Sequence, residues 1–123
     1  MSLTPEIFRE YDVRGLVGKE LDENTLELLG KGIGTYLVKT SGKRIVIGHD
    51  NRKTSPLFAK SLAKGFVSTG CKVTLVGLAT TPMVYFEVCN GDYDGGAIVT
   101  ASHNPPEFNG VKLTSKKAMP VFG

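Results

Sequence analysis

Apolar residues recur at helical spacing in two stretches of the chain and are concentrated in short β-rich runs in three others. The helical stretches cover about residues 24–39 and 56–69, and the runs cover residues 43–48, 71–77 and 97–99. Spacing of three and four residues is typical of one face of an amphipathic helix, and short β-rich runs are typical of strands. A Thr-Thr-Pro start at residues 80–82 predicts a third helix that ends near Asn90. The predicted buried positions of the first two helices are Leu26, Leu29, Ile33, Leu37, Phe58, Ala59, Leu62, Ala63, Phe66 and Val67.

The order of these elements is strand, helix, strand, helix, strand, preceded by one more helix. With connections this short, the order predicts an α/β domain in which helices flank a parallel core sheet as a three-layer sandwich. Residues 111–113 follow an Asn-Gly pair and predict a last strand. We expect that strand to return antiparallel to residues 97–99, which would bring Lys112 back toward Ser102.

Helix ends are predicted from cap residues. Asn24 followed by Glu27 resembles a capping box at the start of the first helix. Thr54 or Ser55 is the expected cap of the second helix, ahead of a proline in its first turn. Gly70 is the expected stop of that helix.

Composition limits the class of protein. The chain has 123 residues, the size of one domain, so we treat residues 1–123 as a single unit. Its net charge of +3, from 15 basic and 12 acidic residues, is too mild to indicate nucleic acid binding, and it would not repel an anionic substrate. No apolar run reaches the length of a membrane span, so no membrane partner is expected. Residues 118–123 end on apolar positions with no closing element, which suggests a piece of a longer chain.

The two cysteines, Cys71 and Cys89, lack metal-type spacing. Free buried thiols in a reducing cytoplasm are the expected state.

The segment with the clearest chemistry is residues 100–106, TASHNPP, which follows an apolar run. Its prolines cannot extend a strand, so Ser102 and His103 are expected in a loop at a strand's carboxyl end, where open α/β sheets carry their sites. The serine is then a candidate nucleophile or phosphate carrier. A plain turn, in which the hydroxyl bonds the backbone, is the alternative. A serine hydrolase is less favoured, because the Gly-x-Ser-x-Gly elbow is absent and adjacent side chains point apart.

Two basic residues are candidates for phosphate contact. Lys112 could neutralise a phosphoryl group or act as a base, and a solvated strand lysine is the alternative. Arg14, followed by Gly15 in a predicted turn, could grip phosphate with two hydrogen bonds, and a surface salt bridge with Asp12 is the alternative.

Asp50 and Arg52 follow a predicted strand. In a parallel sheet they would face the same crevice as Ser102 and could support its loop. A local turn ahead of the next helix is the alternative.

Glycines at positions 30, 32 and 34 resemble a nucleotide-binding run. They lie inside a helical pattern and not between a strand and a helix, so the mechanism of that motif is missing. Close helix packing is the better interpretation.

Taken together, four motifs resemble the N-terminal domain of the α-D-phosphohexomutases, the phosphomannomutase/phosphoglucomutase superfamily. The resemblance covers nearly the whole chain. The motifs are residues 8–15 (FREYDVRG), 48–55 (GHDNRKTS), 81–82 (TP), and 100–105 (TASHNP) with 109–112 (NGVK).

The resemblance implies specific roles. Ser102 would be a phosphoserine that donates its phosphoryl group to a hexose phosphate and regains one from the bisphosphate intermediate. His103 would be the active-site histidine, and Lys112 and Arg14 would lie near the transferring phosphate, one of them as general base. Expected supporting residues are Tyr11, Asp50, Arg52, Asn104 and Asn109.

The resemblance also implies a Mg²⁺ ion bound through the phosphate on Ser102, a hexose bisphosphate activator, and partners in further domains of the same enzyme. In that family the aspartate metal loop and the sugar- and phosphate-recognition loops lie in those other domains. We therefore expect the isolated chain to be inactive. A non-catalytic sugar-phosphate-binding or assembly module of the same fold is the alternative, and the preferred hexose cannot be deduced.

Overall fold

A computed structural model describes residues 8–9, 12–19, 21–40, 42–90, 93–100 and 108–115. Within these ranges the chain forms six strands and three helices. The strands are β1 (Phe8–Arg9), β2 (Asp12–Leu16), β3 (Arg44–His49), β4 (Lys72–Leu78), β5 (Gly95–Val99) and β6 (Phe108–Ser115). The helices are α1 (Glu23–Thr40), α2 (Ser55–Ser68) and α3 (Thr81–Asn90).

The strands form one mixed sheet in the order β1-β2-β6-β5-β3-β4. β3 pairs in parallel with both β4 and β5, as the strand–helix alternation predicts. β6 returns antiparallel to β5, which confirms the expected direction of the last strand. β2 pairs antiparallel with β6, and β1 with β2. The predicted α/β class, with an antiparallel last strand, is confirmed.

Helices cover both faces of the sheet. α1 and α2 pack on one face, where Leu26, Leu37, Leu62 and Phe66 are among the fully buried side chains. On the other face α3 contributes two buried valines, which meet Val46 and Ile98 of the sheet. Among the described helices, none combines the length and apolar composition that crossing a bilayer requires.

α1 and α2 approach closely because glycines stand at their contact. A Cβ on Gly30 would lie inside contact distance of the Leu62 carbonyl oxygen and 3.1 Å from Gly65 Cα. Gly32 has open space around it. Helix packing, and not nucleotide binding, explains the glycine at position 30.

The capping box expected at Asn24 is wrong. α1 begins one residue earlier, and Asp22 Oδ1 accepts the Thr25 backbone N–H at 2.8 Å and the Thr25 hydroxyl at 2.9 Å. Glu27 instead lies 3.5 Å from Lys31 Nζ in an ion pair. A cap needs its side chain just ahead of the first turn, and Asp22 occupies that place.

The apolar face of α2 is confirmed except at its end. Val67 is 56% exposed, because nine residues of helix turn it about 180° away from Phe58. Gly70 has a φ of +98°, and the helix ends two residues before it, as predicted. Cys71 is a free, buried thiol, also as expected.

Candidate functional site

The carboxyl ends of three parallel strands meet at one edge of the sheet. There the backbone N–H of Asp50, just past the end of β3, donates to the carbonyl oxygen of Val99, the last residue of β5, at 3.0 Å. Thr100 N donates to Gly110 O at 2.8 Å, so the end of β5 is also joined to the start of β6. Residues 101–107 therefore connect two strands whose facing ends are held together. Such an edge is where open α/β sheets bind ligands.

The Asp50 carboxylate accepts hydrogen bonds from several donors at this edge of the sheet. Its Oδ1 accepts the Ser55 hydroxyl and the Arg52 backbone N–H, the latter at 3.0 Å. Its Oδ2 accepts Arg52 Nε–H at 3.1 Å, in an ion pair whose two side chains are mostly buried. Burial by itself would raise the pKa of Asp50. Hydrogen bonds from Ser55, Arg52 and Thr100, with the Arg52 charge, outweigh burial and hold that pKa below its ordinary value.

Two hydroxyls at the start of α2 do not cap the helix, contrary to expectation. Thr54 occupies the cap position without a side-chain cap hydrogen bond. Its hydroxyl instead accepts from Asn109 Nδ2 at 2.8 Å. The buried Ser55 hydroxyl accepts from the same Nδ2 at 3.0 Å and donates to Asp50. Both hydroxyls thus bond to Asn109, a residue more than fifty positions away along the chain. Rules for helix caps consider only neighbouring residues and cannot predict such a bond.

Asn109 is fully buried and has both ends of its amide satisfied. Its Nδ2 donates to Thr54 and Ser55, and its Oδ1 accepts the Gly110 backbone N–H at 2.9 Å. Asn109 joins the start of β6 to the start of α2. The structure therefore brings together three of the predicted supporting residues, Asp50, Arg52 and Asn109.

Lys112 is half-buried on β6, directly opposite Ile98 of β5. Because opposite residues of antiparallel strands share a face, Lys112 lies on the side of the sheet that α3 covers. Arg14 stands in β2 opposite Gly110. The turn expected at Gly15 is wrong, since Gly15 is buried inside β2, opposite Asn109. The strand was missed because its partner, β6, lies far along the chain.

Four predicted site residues lie outside the described part of the chain: Tyr11, Ser102, His103 and Asn104.

For Thr54 and Ser55 the sequence predicted only a role as helix caps. A signal was available, because both belong to the same motif as Asp50 and Arg52, in residues 48–55.

The described residues do not by themselves fit a magnesium ion. In the part of the chain that the structure describes, no three His, Cys, Asp or Glu side chains gather in one place. The carboxylate at the strand edge, Asp50, already accepts hydrogen bonds on both oxygens. Mg²⁺ prefers octahedral oxygen coordination, so its ligands would have to come from other groups.

Comparison with known families settles the membership of the chain. Residues 5–122 match the family described as phosphoglucomutase/phosphomannomutase, alpha/beta/alpha domain I. The chain belongs to this family. The resemblance inferred from the four motifs is thereby confirmed.

Several phosphoglucomutase/phosphomannomutase relatives are similar to the chain over most of its length. The phosphoglucomutase of Neisseria meningitidis serogroup B is 38% identical over 112 residues, which cover 91% of this chain and 24% of the relative. The phosphomannomutase of Salmonella montevideo is 41% identical over 116 residues, covering 94% of this chain and 25% of the relative. The chain thus spans about a quarter of the length of these relatives.

Solved structures agree with the fold. A phosphoglucomutase/phosphomannomutase family protein from Burkholderia thailandensis superposes with a TM-score of 0.91 at 32% identity. The match covers 99% of this chain and 28% of that one. The three-layer α/β fold is therefore that of the phosphoglucomutase/phosphomannomutase family.

Proposed function

We propose that this chain serves as the first domain of a mutase that interconverts hexose 1-phosphate and hexose 6-phosphate. Relatives named phosphoglucomutase and phosphomannomutase share 38% and 41% identity with it and are about four times as long. The other domains of the same polypeptide are then its partners, and the isolated chain is inactive. The free Cys71 thiol suits a reducing compartment, the cytoplasm.

Ser102 is the proposed phosphate carrier of this mutase. The observation that carries this assignment is the polar network at the carboxyl edge of the sheet. Two residues that flank the segment containing Ser102 belong to this network. Thr100 bonds to Asp50, and Asn109 bonds to Thr54 and Ser55. A segment anchored at both ends can hold a reacting hydroxyl in one place, which phosphoryl transfer needs more than it needs covalent chemistry.

The proposed reaction has two transfers. In the first, a hydroxyl oxygen of the hexose phosphate forms a bond to the phosphorus on Ser102, the bond from phosphorus to Oγ breaks, and the hydroxyl proton passes to a base. In the second, the serine oxygen forms a bond to the other phosphorus of the bisphosphate, the bond from that phosphorus to the sugar oxygen breaks, and the proton held by the base returns to that sugar oxygen, which leaves the product hexose phosphate. Lys112 suits the base role better than Arg14, because a guanidinium stays protonated in proteins. Arg14 and His103 are proposed to contact the phosphoryl oxygens.

Tyr11 and Asn104 are proposed to contact substrate or support the Ser102 segment. When bound, Mg²⁺ would neutralise phosphoryl charge, held by the phosphate on Ser102 and by acidic groups of another domain. A hexose bisphosphate would activate the enzyme by placing the first phosphate on Ser102.

The test is a peptide-resolved mass measurement on the full-length protein that carries this domain. We expect phosphate on Ser102 after incubation with a hexose bisphosphate and magnesium, and its removal by a hexose monophosphate. Ser102→Ala should abolish turnover, because no carrier oxygen remains. A Ser102 that stays bare, or near-normal turnover by the variant, would favour the non-catalytic module of the same fold.

A further inference from the structure

The Ser55 hydroxyl is bonded to two of the polar side chains at the carboxyl edge of the sheet. The residue is fully buried at the start of α2. Its oxygen contacts Asp50 of the β3–α2 connection and Asn109 of β6. Asp50 also bonds to Thr100, at the end of β5. One hydroxyl thus connects both flanks of residues 101–107 to the same helix.

The direction of each hydrogen bond in this chain follows from chemistry. An ionised Asp50 carboxylate has no proton to give, and its lowered pKa keeps it ionised at neutral pH. Ser55 must therefore donate its single proton to Asp50. Its oxygen is then left to accept from Asn109, whose carbonyl end is bound by the Gly110 N–H.

These hydrogen bonds allow only one orientation of the Asn109 amide and one of the Ser55 hydroxyl. Among the buried side-chain polar atoms of the described residues, none lacks a partner. Reversing the Asn109 amide would set its oxygen against the Ser55 oxygen, whose proton is already used. Fully satisfied buried networks rigidify the elements they join. The start of β6 and the end of β5 are therefore held in one register relative to α2.

We infer that Ser55, acting with Asn109, is a positioning residue that sets where residues 101–107 present Ser102. The inference rests on the proposed function in naming Ser102 as the group positioned. Ser55 does not touch the reacting atoms. It acts by fixing Asn109 on one side of the segment and Asp50, with Thr100, on the other.

The test compares three variants of the full-length protein. Ser55→Ala removes the shared hydroxyl, and Ser55→Thr retains it. Val88→Ala is the stability control, because Val88 is buried on α3, on the opposite face of the sheet. The measurements are the single-turnover rate of phosphoryl transfer from phosphorylated Ser102 to hexose monophosphate, the KM for that sugar, the melting temperature, and amide exchange in residues 108–111.

We expect Ser55→Ala to slow transfer by about 10- to 100-fold, because displacement of a reacting group by about 1 Å can cost that much. KM should change by less than about threefold, since the remaining phosphate and sugar contacts are not altered. Ser55→Thr should recover most of the rate. Val88→Ala should lower the melting temperature while leaving the transfer rate within about threefold of the unchanged protein. Amide exchange in residues 108–111 should be faster in Ser55→Ala than in Val88→Ala.

Equal transfer rates in Ser55→Ala and Val88→Ala would overturn the inference, as would a loss confined to KM. If the unchanged protein never acquires phosphate on Ser102, the proposed function fails instead. Amide exchange then decides the remaining part of the inference. Equal protection of residues 108–111 in Ser55→Ala and Val88→Ala would show that Ser55 anchors nothing beyond its own helix.

Discussion

Replacing Gly30 with alanine tests the interpretation that glycine permits close packing of α1 on α2. At this position a Cβ would meet backbone atoms of the neighbouring helix, including Phe66 N at 3.1 Å. Backbone cannot move aside as a flexible side chain can, so the helices must separate. Gly32 lies on the same helix, and a Cβ there would meet nothing within 4 Å. Gly32→Ala is therefore a matched control.

The magnitudes follow from two opposing effects. Alanine is about 1 kcal/mol more favourable than glycine inside a helix, and both variants gain this amount. Overpacking a well-filled contact costs about 1–3 kcal/mol, and only Gly30→Ala incurs that cost. We expect Gly32→Ala to stabilise by up to about 1 kcal/mol. Gly30→Ala should be less stable than Gly32→Ala by about 2 kcal/mol.

The assay is urea unfolding of the 123-residue chain, followed by circular dichroism because the chain contains no tryptophan. Thermal unfolding provides a second measurement, in which a difference of about 2 kcal/mol corresponds to about 8 °C at this size. Equal stabilisation by the two substitutions would refute the packing argument. It would show that α1 and α2 can separate without cost at Gly30.

Two further predictions concern the strand edge. Asp50→Asn should destabilise the domain by about 1–3 kcal/mol at pH 7, because donors that now meet a carboxylate lose an acceptor. Since the folded-state pKa of Asp50 lies below its ordinary value of 3.8, the stabilising effect is complete above that pH and is lost as the pH falls through the folded pKa. The difference in unfolding free energy between the unchanged and Asp50→Asn proteins should therefore shrink below about pH 4, and a constant difference from pH 7 to pH 3 would contradict this account. Lys112→Met in the full-length protein should lower kcat more than it raises KM, because a base acts in the transfer step; an unchanged kcat with a raised KM would exclude that role.

Elements of the fold that depend on local pattern could be predicted from the sequence. The stripe of Leu26, Leu29, Ile33 and Leu37 is buried as its spacing requires, because helical periodicity assigns a face without knowledge of the partner. The stop at Gly70 also needs only local geometry, a positive φ that glycine accepts.

Predictions failed where a residue's partner lies far along the chain. β1 and β2 escaped detection because two- and five-residue strands carry little pattern of their own, and β2 is defined by its pairing with β6. Asp22, and not Asn24, caps α1, since several neighbouring polar residues can satisfy the cap rule equally well.

The same distinction between local pattern and distant partners applies to the candidate site. The sequence by itself determined the family, the three-layer class and the edge of the sheet where Asp50 and Arg52 belong, because motif order and strand alternation are properties of the chain. Only the tertiary structure decided what the hydroxyls of Thr54 and Ser55 do. Local rules assign both to helix caps, yet in the fold a buried Asn109 offers Nδ2 to both at 2.8 and 3.0 Å. A buried donor without an acceptor lowers the free energy of unfolding by more than an uncapped helix end whose N–H groups can bond to water. The two hydroxyls therefore accept from the distant Asn109 amide and do not cap their own helix.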